Sequence, residues 1–370
     1  MSMQKIKILV DAHVFDGAPQ GTTTYIKGLY EALAKDQQFE ITLCAQNCAN
    51  LKAQFDNERF LFLELKQASS IKRLLFELPK IIKEGRYHYA HFQYIVPLRK
   101  SCFFITTIHD ILFVDYPGYF PKAYRLTKGW WFWLSAKRSD IVATVSEFSK
   151  QALMKHYGID ATQIALTPNA CTLETLETVD IRSHYNLRPY LLFVSRFEPR
   201  KNHLGLLTAF FNLKLNLKGY DLVLIGKRKD VAVPAFEAAY NALTEEEKKH
   251  VKLFENISHQ HLSSFYRQCS LFVYPSFAEG FGIPPLEAVL NECKLICSNA
   301  TAMADFDFLG KQLVDVSNKQ EFEQAIERTL ADTDYPFAQL KKQTLEKYNW
   351  QNAAAALAKA VVNHYKANID

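Results

Sequence analysis

No stretch of this 370-residue chain approaches ~18 uninterrupted apolar residues, so nothing in it reads as a membrane-spanning helix. The opening Met1–Val10 holds two lysines and only a short apolar run, and reads as a strand rather than a secretory signal. Cysteine is sparse: seven residues, an odd number, at 44, 48, 102, 171, 269, 293 and 297. The two close pairs are C-x3-C, a spacing that suits neither a zinc knuckle nor a redox loop. A disulfide framework is therefore not expected, and the thiols point to a reducing cytosol. Low-complexity segments, short internal repeats, a Ser–His–Asp array and a metal-ligand cluster are also missing. Apolar residues are not scarce: at 48% hydrophobic, the chain is not disordered. Its length predicts two or three domains with cores that need no staples.

Charge of one sign is scarce in one place. Residues 66–138 carry 13 Lys+Arg against 4 Asp+Glu, a net of +9, whereas the whole chain carries +5. A segment of this kind suits an anionic membrane, an anionic substrate or a merely solvated face. No recognition motif accompanies the charge, so no nucleic-acid partner is expected. Within it, Tyr119–Arg138 combines Trp130, Trp131, Phe132 and Trp133 with five cations. That mixture fits a membrane interface, and equally fits tryptophans packed on a sheet with cations at the rim.

Short apolar runs predict strands at 6–10, 39–45, 60–65, 89–94, 102–108, 140–145 and 164–167. After a lapse at 171–189, read as a linker, the pattern restarts. Further strands are expected at 190–194, 222–225, 251–254, 271–274, 295–297 and 313–316. Helical patterns lie between them, such as Tyr25, Leu29 and Leu33, or the run after the cap candidate Ser146. Helices are also expected at 203–213, 260–269 and 320–330, with an Ala-rich terminal helix at 350–365. Alternation of this kind predicts two tandem doubly wound α/β domains with a ligand cleft between them.

Two segments carry the chemistry. In Tyr274–Ala288, a strand runs into a loop with Gly280 and Gly282, and a helix begins at Pro284-Pro285. Glu279 and Glu287 bracket the loop. A helix N-terminus suits a phosphate, and carboxylates accept from sugar hydroxyls. Taken singly, the glycines could shape a turn and Glu287 could favour the helix dipole in the first turn. In Leu192–His203, a strand end is followed by Arg196, Arg200 and Lys201, cations that can neutralise a departing diphosphate or simply be solvated.

Together these segments resemble the retaining glycosyltransferases of family 4, which have the GT-B architecture. The match is the E-x7-E run from Glu279 to Glu287 in its E-G-F-G-x-P-P-x-E-A setting, supported by Arg196…Lys201-Asn202, Thr107-Ile-His109-Asp110, Val145–Ser149, Ser298-Asn299 and Leu313–Asp315. The resemblance extends from Ile8 to about Trp350, and the wording is closest to bacterial mannosyltransferases of polysaccharide assembly. It implies two Rossmann-like domains, 1–175 on the acceptor side and 176–349 for the nucleotide sugar. Residues 350–370 form a terminal helix, its return to the first domain left open. It implies that Arg196 and Lys201 hold the donor diphosphate. Glu279 and the amides of Gly280, Phe281 and Gly282 would grip the transferred sugar and phosphate. Glu287 would accept from the ribose, and His109 would face the donor sugar. Read without the family, His109 beside Asp110 is as well accounted for by a structural role. Gly21, in Gly17–Thr24, would lie close to the donor, although threonines follow it where the family has more glycine. Two further departures are Glu292 and Lys294, where the family's pattern has glycine and proline, and Ala304-Asp305, where it often has Pro-Glu.

The expected function is transfer of a hexose, mannose first, from a nucleotide diphosphate sugar to a hydroxyl acceptor with retention. The acceptor would be a saccharide or lipid-linked saccharide in surface-polysaccharide or glycolipid assembly. The expected location is cytoplasmic, with peripheral contact to an anionic membrane left open. No cofactor is expected beyond the donor substrate, and no metal. Asp305-Phe306-Asp307 and Asp332-Thr333-Asp334 are formally D-x-D, but neither lies beside the phosphate ligands. Two rivals use the same residues: a nucleotide-sugar epimerase, and a non-catalytic nucleotide-sugar-binding protein.

Overall fold

The computed structural model describes residues 5–17, 20–55, 57–172, 177–228 and 233–369. Ala18 and Pro19 of the first glycine loop, and residues 173–176 of the expected linker, lie outside the described residues. The chain forms two compact units, Met1–Ala170 with Tyr348–Asp370, and Cys171–Lys347.

The first unit is built on seven strands: β1 (Ile6–Asp11), β2 (Phe39–Ala45), β3 (Phe60–Glu64), β4 (Tyr89–Gln93), β5 (Phe103–Thr107), β6 (Ile141–Thr144) and β7 (Ile164–Leu166). All pair in parallel in the order β3-β2-β1-β4-β5-β6-β7. Ile8, Leu9 and Val10 are all buried although they alternate between the two faces. Burial on both faces marks a sheet with helices on each side, which is why these strands read as continuous apolar runs. The second unit has β8 (Tyr190–Val194), β9 (Asp221–Ile225), β10 (Val251–Phe254), β11 (Leu271–Tyr274), β12 (Leu295–Ser298) and β13 (Leu313–Val314). They are again parallel, in the order β10-β9-β8-β11-β12-β13. Strand order reverses between β1 and β4 in one unit and between β8 and β11 in the other. In such sheets ligands bind off the carboxyl ends of the strands at the reversal.

Every expected strand is present, and the helices differ more. The stretch expected to be a linker contains a helix, Ile181–Tyr185, whose start is capped by the Asp180 carboxylate on the Ser183 amide at 3.1 Å. It was hidden by its shortness, five residues with only Ile181 buried. The basic aromatic segment is a helix, Lys122–Arg138, that buries Phe132, Ser135 and Ala136. The helix after the second glycine loop, Ile283–Leu290, ends without the family's glycine: Glu292 itself takes the left-handed conformation at φ 57°. Cys293 then donates to the Ala288 carbonyl at 3.0 Å, closing the helix end as a glycine would.

The terminal helix Trp350–Ile369 belongs to the first unit, where it lies on Gly21–Leu33. A Cβ on Gly28 would fall 2.0 Å from the Trp350 ring, so the indole occupies the place of a side chain. Alanine for glycine within a helix is ordinarily stabilising. Here the sign should reverse. Gly28→Ala is expected to cost about 1–3 kcal/mol through overpacking, and much less in a Trp350→Ala background. Thermal unfolding of the four proteins checks the cycle; equal losses in both backgrounds would dissociate Gly28 from the indole.

Candidate functional site

The second unit places both chemistry-bearing loops at its strand reversal. After β8, the chain passes Arg196 and Phe197, makes a short turn at Pro199–Lys201 and reaches Asn202 at φ 60°. Asn202 caps helix His203–Asn212 by accepting from the Gly205 amide at 3.1 Å. Gly226, after β9, makes room for this loop: a Cβ there would stand 1.9 Å from the Ser195 carbonyl oxygen. After β11, the Phe277 amide donates to the Arg200 carbonyl at 2.8 Å, which ties the two loops together.

The side chains then converge on Glu279. Its carboxylate accepts from the Lys201 ammonium, from the Arg200 guanidinium at 2.8 Å and from the Tyr274 hydroxyl at 2.9 Å. Its amide donates to the Thr301 hydroxyl at 2.9 Å. Burial alone would raise the Glu279 pKa, but Lys201 and Arg200 hold it at about 2. Burial pulls Lys201 below the usual lysine value, with Glu279 opposing that pull. Tyr274 is pushed well up, by burial and then by the Glu279 charge. Arg200 also engages Glu198 at 2.8 Å. Thr301 holds Glu279 from a left-handed backbone at φ 54°, an uncommon and strained conformation for a β-branched residue.

The expected site residues are not all brought together. Lys201 and Glu279 are in direct contact. Arg196 is 62% exposed at its side chain and pairs with Glu198 at 3.1 Å, outside the Glu279 cluster. Arg200 takes the second place on Glu279; its only sequence signal was membership of a three-cation loop. Glu287 lies one residue further into its helix than expected, as the fifth residue of Ile283–Leu290, just beyond the first turn. It accepts from the Tyr266 hydroxyl at 2.8 Å, and burial raises its pKa. Gly282, at φ 98°, takes the left-handed turn into that helix. Phe281 is buried against Phe306 with ring centroids 5.6 Å apart. Pro284 and Pro285 carry no N–H, so backbone donors at this helix start are limited to Gly280–Ile283 and then Leu286.

In the first unit, Gln93 and His109 meet at the carboxyl ends of β4 and β5, with Nε2 of His109 2.9 Å from Oε1 of Gln93. This pairing puts the ring proton on Nε2. Tyr25 packs edge-on to the imidazole at 4.9 Å between centroids, and Tyr94 lies at 5.4 Å. Burial lowers the His109 pKa to about 4, so the ring is neutral near pH 7. Gly21 is the first residue of its helix, is exposed, and a Cβ there would meet nothing within 4 Å. Thr23 does cap this helix: the Gln20 amide donates to its hydroxyl at 3.0 Å.

One aspartate of each pair is engaged elsewhere. Asp307 binds Lys347 at 2.7 Å and Asp332 binds Lys311 at 3.0 Å. Among the described residues, no group of three or more His, Cys, Asp or Glu side chains gathers as metal ligands would.

The Gln93–His109 pairing generates a measurable expectation. Imidazole titration followed by NMR should show His109 titrating near pH 4 with its proton on Nε2. Gln93→Glu places a carboxylate on the ring and should raise that midpoint by about 1–3 units. An unmoved midpoint would mean that the side chain at 93 does not face the ring.

The sequence model of the glycosyltransferases called Glycosyltransferase Family 4 matches residues 19–175, and that of Glycosyl transferases group 1 matches 177–360. The O-antigen chain mannosyltransferase B of Escherichia coli is 29% identical over 234 residues, which are 60% of this chain and 59% of that protein. The O-antigen chain mannosyltransferase RfbU of Salmonella typhimurium is 28% identical over 223 residues, again 60% of this chain and 59% of the relative. The aligned part thus spans less than two thirds of either relative. Among solved structures, the sucrose-phosphate synthase of Thermosynechococcus elongatus superposes with a TM-score of 0.75 at 19% identity, covering 99% of this chain and 100% of that one, which bears on the fold alone. With the two sequence models together spanning both parallel-sheet units, the chain belongs to the GT-B glycosyltransferases of family 4, group 1.

Proposed function

We propose that this protein transfers a hexose, mannose first, from a nucleotide diphosphate sugar to a hydroxyl of a saccharide or lipid-linked saccharide, with retention, in surface-polysaccharide assembly. The observation that carries this reading is the Lys201–Arg200–Glu279 cluster at the β8/β11 reversal, whose Glu279 opens the E-x7-E run. Mannose as the sugar is supported by the two relatives named as O-antigen mannosyltransferases.

The chemistry asked of these residues is electrostatic. The bond from the anomeric carbon to the diphosphate breaks and a bond to the acceptor oxygen forms on the same face. The acceptor proton passes to the leaving phosphate oxygen. Negative charge grows on the diphosphate, and Arg196 and Lys201 are the cations proposed to stabilise it, joined by Arg200. Preorganised groups of this kind can supply several kcal/mol. Glu279 is proposed to bind the sugar, Gly280, Phe281 and Gly282 the sugar and phosphate, and Glu287 the ribose. Neutral His109, with its proton on Nε2, keeps Nδ1 as an acceptor for a sugar hydroxyl, and Gly21 belongs to the loop proposed to border the donor. No metal or cofactor is called for in this scheme.

Incubation with GDP-mannose and a saccharide acceptor should yield a mannosylated product; conversion of the nucleotide sugar with no acceptor present would instead favour the epimerase reading. Donor affinity should be the same with and without EDTA. A chelator that abolishes donor binding would bring the aspartate pairs back into consideration. The two glutamates should separate. Glu279→Ala should lower turnover far more than donor affinity, because contacts to the reacting sugar strengthen as charge develops. Glu287→Ala should weaken GDP-mannose and free GDP alike, by roughly 1.5–3 kcal/mol for a lost charged hydrogen bond. Free GDP decides, having ribose but no sugar: greater weakening by Glu279→Ala reverses the two assignments.

A further inference from the structure

Of the large apolar side chains that stand exposed, most lie between residues 61 and 133 of the first unit. On helix Lys122–Arg138 three of them form a line, with Tyr124, 40% exposed, standing off it. Leu126 is 75% exposed, Trp130 53% and Trp133 40%. At 100° per residue, positions 126, 130, 133 and 137 fall within a narrow arc, so Leu126, Trp130, Trp133 and Lys137 share one face. The opposite face is the one that packs: Phe132 and Ala136 are buried in the core, with Trp131 against it. Exposure of one tryptophan needs no explanation, but two tryptophans and a leucine in register on a basic helix do.

The line ends at a basic pocket. A cavity of about 460 Å³ is bordered by Lys100, Lys137, Arg138, Asp140 and His364. Lys100 is paired with Asp140 at 2.8 Å. Lys137 donates to the Gly158 carbonyl at 2.8 Å, and Arg138 donates to the Leu98 carbonyl. A carbonyl satisfies a donor without cancelling its charge, so this end of the helix keeps a positive surplus. Nε of Arg138 is buried with no hydrogen-bond partner. Leu98, whose carbonyl Arg138 holds, is itself exposed.

We infer that helix Lys122–Arg138 docks on an anionic lipid surface, with Trp130, Trp133 and Leu126 at the headgroup level and Lys137 and Arg138 over the phosphates. The occupant follows from the charge. Another copy of this chain would bring the same +9 segment against itself, and a neutral apolar partner would leave the cations uncompensated. Tryptophan suits the interface because its ring is apolar with one polar tip, and lysine reaches the phosphates while its stem lies on apolar surface. No helix among the described residues is long and apolar enough to cross a membrane, so contact of this kind is interfacial. The surface bears on a lipid-linked acceptor of the proposed reaction, but its test uses no donor and no acceptor and so stands or falls separately.

The full chain is floated with phosphatidylcholine vesicles, with and without added phosphatidylglycerol. Recovery is expected on the anionic vesicles only, and should fall as salt screens the charge. Lys137→Ala should weaken partitioning about fivefold, the worth of one basic side chain near an anionic surface. Trp130→Ser/Trp133→Ser should lose most of the recovery while its thermal unfolding is unchanged. Tryptophan quenching by bromine-labelled acyl chains, measured on the unmodified protein, gives the same answer without relying on a variant. Equal recovery on neutral and anionic vesicles, no recovery, or unimpaired recovery of the double variant overturns the inference. So does a concentration-dependent dimer that the double variant abolishes in the absence of vesicle binding.

Discussion

The second unit is organised around one buried carboxylate. Taking Glu279 and Lys201 out of water costs several kcal/mol per ion, and their attraction recovers this only if the remaining hydrogen-bonding capacity is met. Here it is met: Arg200, Lys201 and the Tyr274 hydroxyl all donate to the Glu279 carboxylate, and Thr301 accepts from its amide. The contributors come from four places in the chain, the turn after β8, the end of β11, the glycine loop and the stretch after β12. Each of those loops is thereby fixed relative to the strand reversal. Thr301 accepts from the Glu279 amide out of a left-handed backbone, a strain that persists only where the surrounding structure over-determines it.

This arrangement also sets terms for the proposed donor. Arg200 lies between Glu198 and Glu279, and Lys201 lies against Glu279. A diphosphate drawing on these cations competes with carboxylates already in place. Arg196 is the cation with least to give up, being largely exposed and, among the described residues, paired with Glu198 alone. Binding through Arg196 while Lys201 stays paired leaves the buried charges balanced. A later strengthening of the Lys201 and Arg200 interactions, as charge grows on the leaving group, is the kind of differential stabilisation that accelerates a reaction rather than merely holding its substrate.

The strands were legible because a parallel sheet covered on both faces admits only apolar residues, and runs such as Leu271–Tyr274 have no other reading. Helix Lys122–Arg138 was not, because its exposed Leu126, Trp130 and Trp133 blur the apolar period that marks a packed face. Ile181–Tyr185 was hidden by its shortness, with Ile181 its one buried residue. At the site, the E-x7-E spacing identified the loop and helix but not the pairing. Arg200 rather than Arg196 meets Glu279 because the Phe277 amide holds the Arg200 carbonyl, a contact between segments about eighty residues apart. Glu287 was placed one residue early because Ile283, not Pro284, begins the helix. Glu292 shows the limit of reading from residue type: a left-handed helix end that calls for glycine is built with glutamate.

The two units treat their charge in opposite ways. The second unit, Cys171–Lys347, holds 21 Lys+Arg and 23 Asp+Glu, and the cations of the candidate site are paired with carboxylates at contact distance. Such charges act at short range, on a ligand already in place. Residues 66–138 carry the +9 surplus, with Lys137 and Arg138 held by carbonyls rather than carboxylates. An uncompensated surplus acts over a Debye length, about 8 Å at physiological ionic strength, and draws on extended anionic surfaces more than on single small anions. Pairing is what makes the buried cations of one unit affordable in a low-dielectric site. Solvent exposure serves the same end for the surplus of the other. Each unit thus carries positive charge in the form that its surroundings allow, which is why two sheets of the same architecture present such different faces to negative charge.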